Sequence, residues 1–174
     1  MNRANRPNTE YCESFKAIVS YQPTWMVLGT MPSVESLNQN FYYAHPRNLF
    51  WPIMQSITSK SVETQADKVN LIKTTGLVLW DVLASCDRVG SLDSAIKQPV
   101  ANDFETLFKR FTSLKTVVFN GKKAQQLFKQ HVINKQSIPS DIEYLVLPST
   151  SPANAAMSTK DKQLFWQEKL SHLV

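Results

Sequence analysis

The chain has 174 residues, 43% hydrophobic and 19% charged, and its 19 Lys and Arg against 14 Asp and Glu leave a formal charge of +5. That length suits one domain with a full core and no need of staples, and the modest positive balance permits a polyanionic partner without requiring one. Met1–Pro7 lacks the apolar stretch of a secretory signal and no run is long enough to span a membrane, which points to a cytoplasmic protein.

In chain order, residues 1–20 read as a peripheral N-terminal segment of a single domain spanning 1–174. Two cysteines, Cys12 and Cys86, are too few for a four-cysteine metal or iron–sulfur site and form no disulfide framework. Trp25–Gly29 is an apolar run that predicts a buried strand. It opens into Gly29-Thr30-Met31-Pro32-Ser33. About a dozen residues on, Tyr42-Tyr43-Ala44-His45-Pro46-Arg47-Asn48-Leu49-Phe50-Trp51 crowds four large aromatics with His, Arg and Asn. Such a loop suits a flat, polar ligand and reads as the wall of a base-binding pocket. Pro52 marks the first turn of a helix beginning near Leu49. Ser56–Lys68 is polar and predicts a surface excursion. Thr64–Thr75 then has helical spacing, with Ala66, Val69, Leu71 and Ile72 roughly on one side.

Gly76–Val82 is a second strand, with Trp80 and Asp81 near its end. Asn102–Phe111 places Phe104, Leu107, Phe108 and Phe111 on one helical face, with Asn102 as the expected N-cap. Lys115–Asn120 predicts a third strand running straight into a helix over Gly121–His131. Glu143–Pro148 predicts a fourth, ending in Ser149-Thr150-Ser151-Pro152-Ala153-Asn154. A last helix spans Lys160–Leu173, with Leu164, Phe165 and Leu170 among its apolar residues. Alternating strands and helices predict a three-layer α/β/α domain around a central parallel four-stranded sheet. Ligands of such sheets bind beyond the carboxyl ends of the strands. Polar, small and turn-forming residues collect at that edge in this chain.

Each candidate has a plainer role beside the functional one. His45 suits a general acid or a phosphate contact, and equally an ordinary loop histidine. Asn48 suits holding a water or a ligand edge, and equally capping the helix after it. Tyr43 is the better placed aromatic for stacking on a base, while Trp51 and Ile53 pack inward. Asp81 is either a hydrogen-bonded strand-end carboxylate or a catalytic base. Ser149-Thr150-Ser151 forms a turn or clamps phosphate. Neither a P-loop, nor Gly-x-Gly-x-x-Gly, nor Gly-x-Ser-x-Gly occurs, which argues against nucleotide-hydrolase and serine-hydrolase readings.

Together these segments resemble the uracil-DNA glycosylase superfamily, and within it the DNA-deoxyinosine (hypoxanthine-DNA) glycosylase branch. Leu28–Ser33 is similar to the first superfamily motif, and Tyr42–Trp51 to a Tyr-Tyr-x-His-Pro-x-Asn-x-Phe-Trp signature. Leu79–Val82, Phe119–Gly121 and Leu147–Ala153 also resemble this branch, so the likeness runs from about Trp25 to Trp166. It implies an enzyme that flips and excises a deaminated base, chiefly hypoxanthine, and leaves an abasic site. Asn48 would orient water or stabilise the departing base, His45 would assist, and Asp81 stands in reserve. Gly29, Thr30, Met31, Pro32, Tyr43 and Asn120 would bind the base. Ser33, Arg47, Ser149, Thr150 and Ser151 would bind DNA. No metal or organic cofactor is implied, and a monomer is expected. The assigned segments hold no lysine, so water is the expected nucleophile.

Two other readings stand beside this one. Mismatch-specific uracil (or thymine) glycosylases share a related loop, but carry an asparagine after Gly-x where this chain has Met31, whose thioether is a poor hydrogen-bond partner. A non-catalytic nucleic-acid or nucleotide binding module would use the same sheet edge.

Overall fold

The computed structural model describes residues 10–174. In order these form β1 (Glu10–Glu13), β2 (Ile18–Val19), β3 (Trp25–Gly29), α1 (Val34–Gln39), α2 (Phe50–Thr58), α3 (Gln65–Thr74) and β4 (Leu77–Asp81). There follow β5 (Leu83–Arg88), β6 (Lys97–Ala101), α4 (Phe104–Arg110), β7 (Thr116–Asn120), α5 (Lys122–Phe128), β8 (Glu143–Leu147) and α6 (Thr159–Leu170). The main sheet has the order β2-β4-β3-β7-β8. β3 pairs in parallel with both β4 and β7, and β7 with β8, while β2 adds to β4 antiparallel.

The central strands are apolar from end to end because both faces are covered. All five residues of β3 and of β7 are buried. One face packs against Phe50, Trp51, Ile53 and Met54 of α2, Leu71 and Ile72 of α3, and Trp166 and Leu170 of α6. The other packs against Phe104, Leu107 and Phe108 of α4, Ala124, Leu127 and Phe128 of α5, and Leu83 and Cys86 of β5. β8 lies at the edge, and its first residues, Glu143 and Tyr144, are exposed.

Several expectations need correction. The sheet is mixed and five-stranded rather than a four-stranded parallel one, because the two-residue β2 extends it antiparallel. A separate antiparallel sheet, β1-β5-β6, has no counterpart in the sequence reading. Its strands mix polar and apolar residues without clean alternation, so periodicity does not find them. Residues 10–19 supply an edge strand to each sheet, while residues 1–9 lie outside the described part. Cys12 and Cys86, distant in sequence, sit directly opposite each other across β1 and β5 as free thiols.

The N-cap of α4 is Asp103, whose carboxylate accepts from the Thr106 amide at 3.0 Å; Asn102 is instead buried and donates to the Asp81 carbonyl at 2.8 Å. Ser56–Lys68 is not one excursion, since α2 continues to Thr58 and α3 begins at Gln65 behind a Thr64–Asp67 capping box. On α6 the inward face is Lys162, Trp166 and Leu170, and Leu164 and Phe165 are exposed.

Candidate active site

The carboxyl ends of β3, β4, β7 and β8 open onto one cleft of about 660 Å³. Its walls are Gly29–Ser33 after β3, Tyr42, Tyr43, His45, Arg47 and Asn48 of the aromatic loop, Asp81, Asn120, and Ser149–Asn154 after β8. Every site residue expected from the sequence thus lines a single cavity. Indole donors pin two of these segments: Trp51 Nε1 donates to the Tyr42 carbonyl and Trp166 Nε1 to the Pro148 carbonyl, both at 2.9 Å.

The floor is built around Gly29. A Cβ there would lie 2.5 Å from Asp81 Oδ1 and 3.0 Å from Tyr43 Oη, so the absence of a side chain lets these two groups converge. Tyr43 has a φ of 53°, a left-handed conformation unusual for a bulky residue. Its ring stacks on Phe50 at 4.3 Å between centroids, so one of its two faces is already covered. The hydroxyl is buried with no hydrogen-bond partner among the described residues. Burial, reinforced by the charge of Asp81, holds the Tyr43 phenol well above its ordinary pKa. It therefore keeps its proton and can donate.

Asp81 is 3% exposed, and its Oδ2 accepts from Ser14 Oγ at 2.9 Å. Burial pushes its pKa up to about 7; the Ser14 hydrogen bond opposes this, Asp93 adds to it, and Arg88 opposes it. Asn48 sits in a turn closed by its own amide on the His45 carbonyl at 2.8 Å. Its Oδ1 accepts from the Phe50 amide at 2.9 Å, which caps the first turn of α2. One side chain thus steadies the start of α2 and lines the cleft, and its NH₂ has no partner among the described residues. His45 Nδ1 accepts from the Arg47 amide at 3.1 Å, which leaves the proton of the neutral ring on Nε2.

Other expected residues take more structural positions. Asn120 and Thr150 bond reciprocally: Asn120 Nδ2 donates to Thr150 Oγ1 at 2.8 Å, and the Thr150 amide to Asn120 Oδ1 at 2.9 Å. Thr150 is wholly buried, and these bonds make its side chain a brace of the loop. Met31 lines the cleft yet is 6% exposed and belongs to the core. Ser33 caps α1, and the hydroxyls of Ser149 and Ser151 accept from the amides of Ser151 and Ala153 within their loop. Arg47 is exposed at the rim.

The sequence reading missed Ser14, Arg88 and Asp93. Thr30 Oγ1 donates to Asp93 Oδ1 at 2.6 Å, and burial raises the pKa of Asp93 against the pull of Thr30, Arg88 and Lys123. Arg88 is buried, donates to the Pro32 carbonyl, and leaves Nε and Nη1 unpartnered among the described residues. Lys162 is likewise buried, and its Nζ donates to the Asn154 carbonyl at 2.5 Å. A Gly-Ser-Leu-Asp-Ser turn at 90–94 was the available signal for Asp93, but nothing local says that it folds over Thr30.

The model of the uracil DNA glycosylase superfamily matches residues 16–169, nearly the whole chain. The chain belongs to that superfamily. Membership makes it an enzyme that hydrolyses N-glycosidic bonds in DNA. It is 31% identical over 160 residues to a hypoxanthine DNA glycosylase of Methanosarcina acetivorans, an alignment that covers 91% of this chain and 97% of the relative. A hypoxanthine DNA glycosylase of Methanosarcina barkeri is 28% identical over 158 residues, covering 90% and 96%. A solution NMR structure of a proposed uracil DNA glycosylase from M. acetivorans superposes with a TM-score of 0.77 at 30% identity, covering 94% of this chain and 99% of that one. Among the described residues no helix is long and apolar enough to cross a membrane, and no group of three or more His, Cys, Asp and Glu could hold a metal.

Proposed function

We propose that this glycosylase removes hypoxanthine from deoxyinosine in DNA by hydrolysis, leaving an abasic site. The carrying observation is the cleft itself, where a buried, proton-bearing Tyr43 hydroxyl and the Asp81 carboxyl converge beside Gly29 and Asn48 lines the same wall. The names of the relatives support hypoxanthine as the base. A base can reach this cleft only by leaving the stack. The rim carries Arg47 and the 149–154 loop, suited to the phosphates flanking the flipped nucleotide.

Breaking the N-glycosidic bond builds positive charge on the sugar and negative charge on the leaving purine. Donors aimed at the developing anion are usually the largest catalytic term. Asn48 Oδ1 is already held by Phe50 N–H, which leaves the NH₂ as the end without a partner among the described residues. That favours stabilisation of the departing base over activation of water, of the two roles open to this side chain. His45 offers Nε2–H as a second donor. The hydroxyl of Tyr43, without a partner among the described residues, can donate to a carbonyl of the bound base.

Water is the proposed nucleophile. Schiff-base chemistry needs an unprotonated amine at the sugar. Lys162, which reaches the loop after β8, has its amine on the Asn154 carbonyl. Incubation with an inosine-containing duplex, followed by alkali, should nick the strand at inosine; without alkali the strand should stay whole. Borohydride added during turnover should trap no protein–DNA adduct. Failure to nick after alkali overturns the hypoxanthine assignment, and an adduct lost on Lys123→Ala or Lys162→Ala overturns the hydrolytic one.

A further inference from the structure

Asp93 stands on the loop between β5 and β6, in a short 3₁₀ turn over Asp93–Ala95 that folds over the mouth of the cleft. The loop is tied down at two points. Thr30 Oγ1 donates to Asp93 Oδ1 at 2.6 Å, and the Val34 amide donates to Ser91 Oγ at 2.9 Å. One carboxylate oxygen of this cleft-lining residue is therefore oriented by Thr30, and the other, Oδ2, has no hydrogen-bond partner among the described residues. The remaining acceptors are less available. Asn120 is bonded at both ends to Thr150, Asn48 Oδ1 holds Phe50, and Asp81 lies deep on the floor with one oxygen on Ser14. Asp93 also lies close enough to Tyr43 for its charge to act on the phenol. An oriented acceptor and a buried donor thus share one pocket.

Deamination has one chemical signature. It converts an amino group beside an accepting ring nitrogen into a carbonyl beside a ring N–H, at N1 when adenine becomes hypoxanthine. A carboxylate accepts that new N–H, whereas an undamaged adenine would present a lone pair to it. We propose that Asp93 is the residue by which this cleft reads deamination: its free oxygen accepts the ring N–H adjoining the new carbonyl, with the Tyr43 hydroxyl as donor to that carbonyl. This rests on the proposed excision of hypoxanthine, and it names the group that makes the selection. A site built to bond a substrate N–H rejects analogues that lack it, because its own buried groups are then left unpaired.

The test uses single-turnover excision from duplexes carrying deoxyinosine or deoxynebularine, the same purine without the N1 proton and the 6-carbonyl. The unaltered protein should prefer deoxyinosine by about 10²-fold or more. Asp93→Ala should shrink that preference at least about tenfold, by slowing deoxyinosine much more than deoxynebularine. Asp93→Asn, which can keep the Thr30 bond, should narrow it as well. A variant that slows both substrates alike shows a structural or general catalytic role and overturns the inference. Equal rates on both substrates with the unaltered protein overturn it without any variant. If the unaltered protein releases no hypoxanthine, the proposed substrate falls and this inference falls with it. If it releases hypoxanthine but shows no preference, only the present inference falls.

Discussion

The two ends of the main sheet each carry a cavity of similar size, and they differ in what their polar groups are doing. The cavity at the amino ends of the strands measures about 730 Å³ and the carboxyl-end cleft about 660 Å³. At the amino end the hydrogen-bonding groups are satisfied by the fold. Ser20 Oγ donates to the Lys73 carbonyl and accepts from the Gly76 amide, Lys73 Nζ donates to the Val19 carbonyl, and Trp25 Nε1 to the Thr75 carbonyl. At the carboxyl end Tyr43 Oη has no partner among the described residues, Asp81 and Asp93 have pKa values raised by burial, and Tyr43 holds a left-handed backbone. Volume does not distinguish the two ends. Groups left polar, buried and unpartnered mark where a ligand completes the structure.

That contrast can be broken most severely at Asn48. Asn48→Ala should lower single-turnover excision of hypoxanthine by about 10²-fold or more, the scale of one lost transition-state donor, with duplex affinity nearly unchanged. Excision at the parental rate would reduce Asn48 to a helix cap and move His45 and Asp81 forward.

The next effect is a pH dependence. In the folded protein Asp81 keeps its proton up to about pH 7, whereas its ordinary pKa is 3.8. Between those values the folded state binds more protons than the unfolded one, so stability falls as pH rises and levels off above about 7. Asp93, also raised, adds a slope of the same sign. Thermal unfolding of Asp81→Asn beside the parent should show an advantage for the variant that grows from about pH 4 to about pH 8. A difference independent of pH would mean that Asp81 is ionised throughout.

Tyr43→Phe separates function from stability. Removing a buried hydroxyl without a partner should leave stability unchanged or raise it by about 1 kcal/mol. Excision of hypoxanthine should nonetheless fall about tenfold, the equivalent of one modest hydrogen bond to the base. Loss of stability together with unchanged excision would reverse the contrast between the two ends. The smallest effect on excision belongs to the amino end. Ser20→Ala removes satisfied hydrogen bonds and should cost about 1–3 kcal/mol in denaturant unfolding, with the excision rate of the folded protein unaltered.

Sequence alone determined the parts that depend on local chemistry and periodicity. The four parallel strands are legible because strands covered on both faces must be apolar throughout, and their carboxyl ends could be searched as one edge. Tyr42–Trp51 was legible because that density of aromatics and amide, imidazole and guanidinium groups has few structural uses. Contacts across long stretches of chain were decided only by the tertiary structure. Ser14 reaches Asp81 across 67 positions, and Thr30 reaches Asp93 across 63. The small sheet that presents the 89–95 loop is built from short strands with exposed, mixed residues, which no hydrophobic period reveals. Thr150 and Met31 sit in site motifs, yet burial assigns one to bracing a loop and the other to the core. Residue type says what chemistry a side chain can perform; packing decides which atoms remain available to perform it.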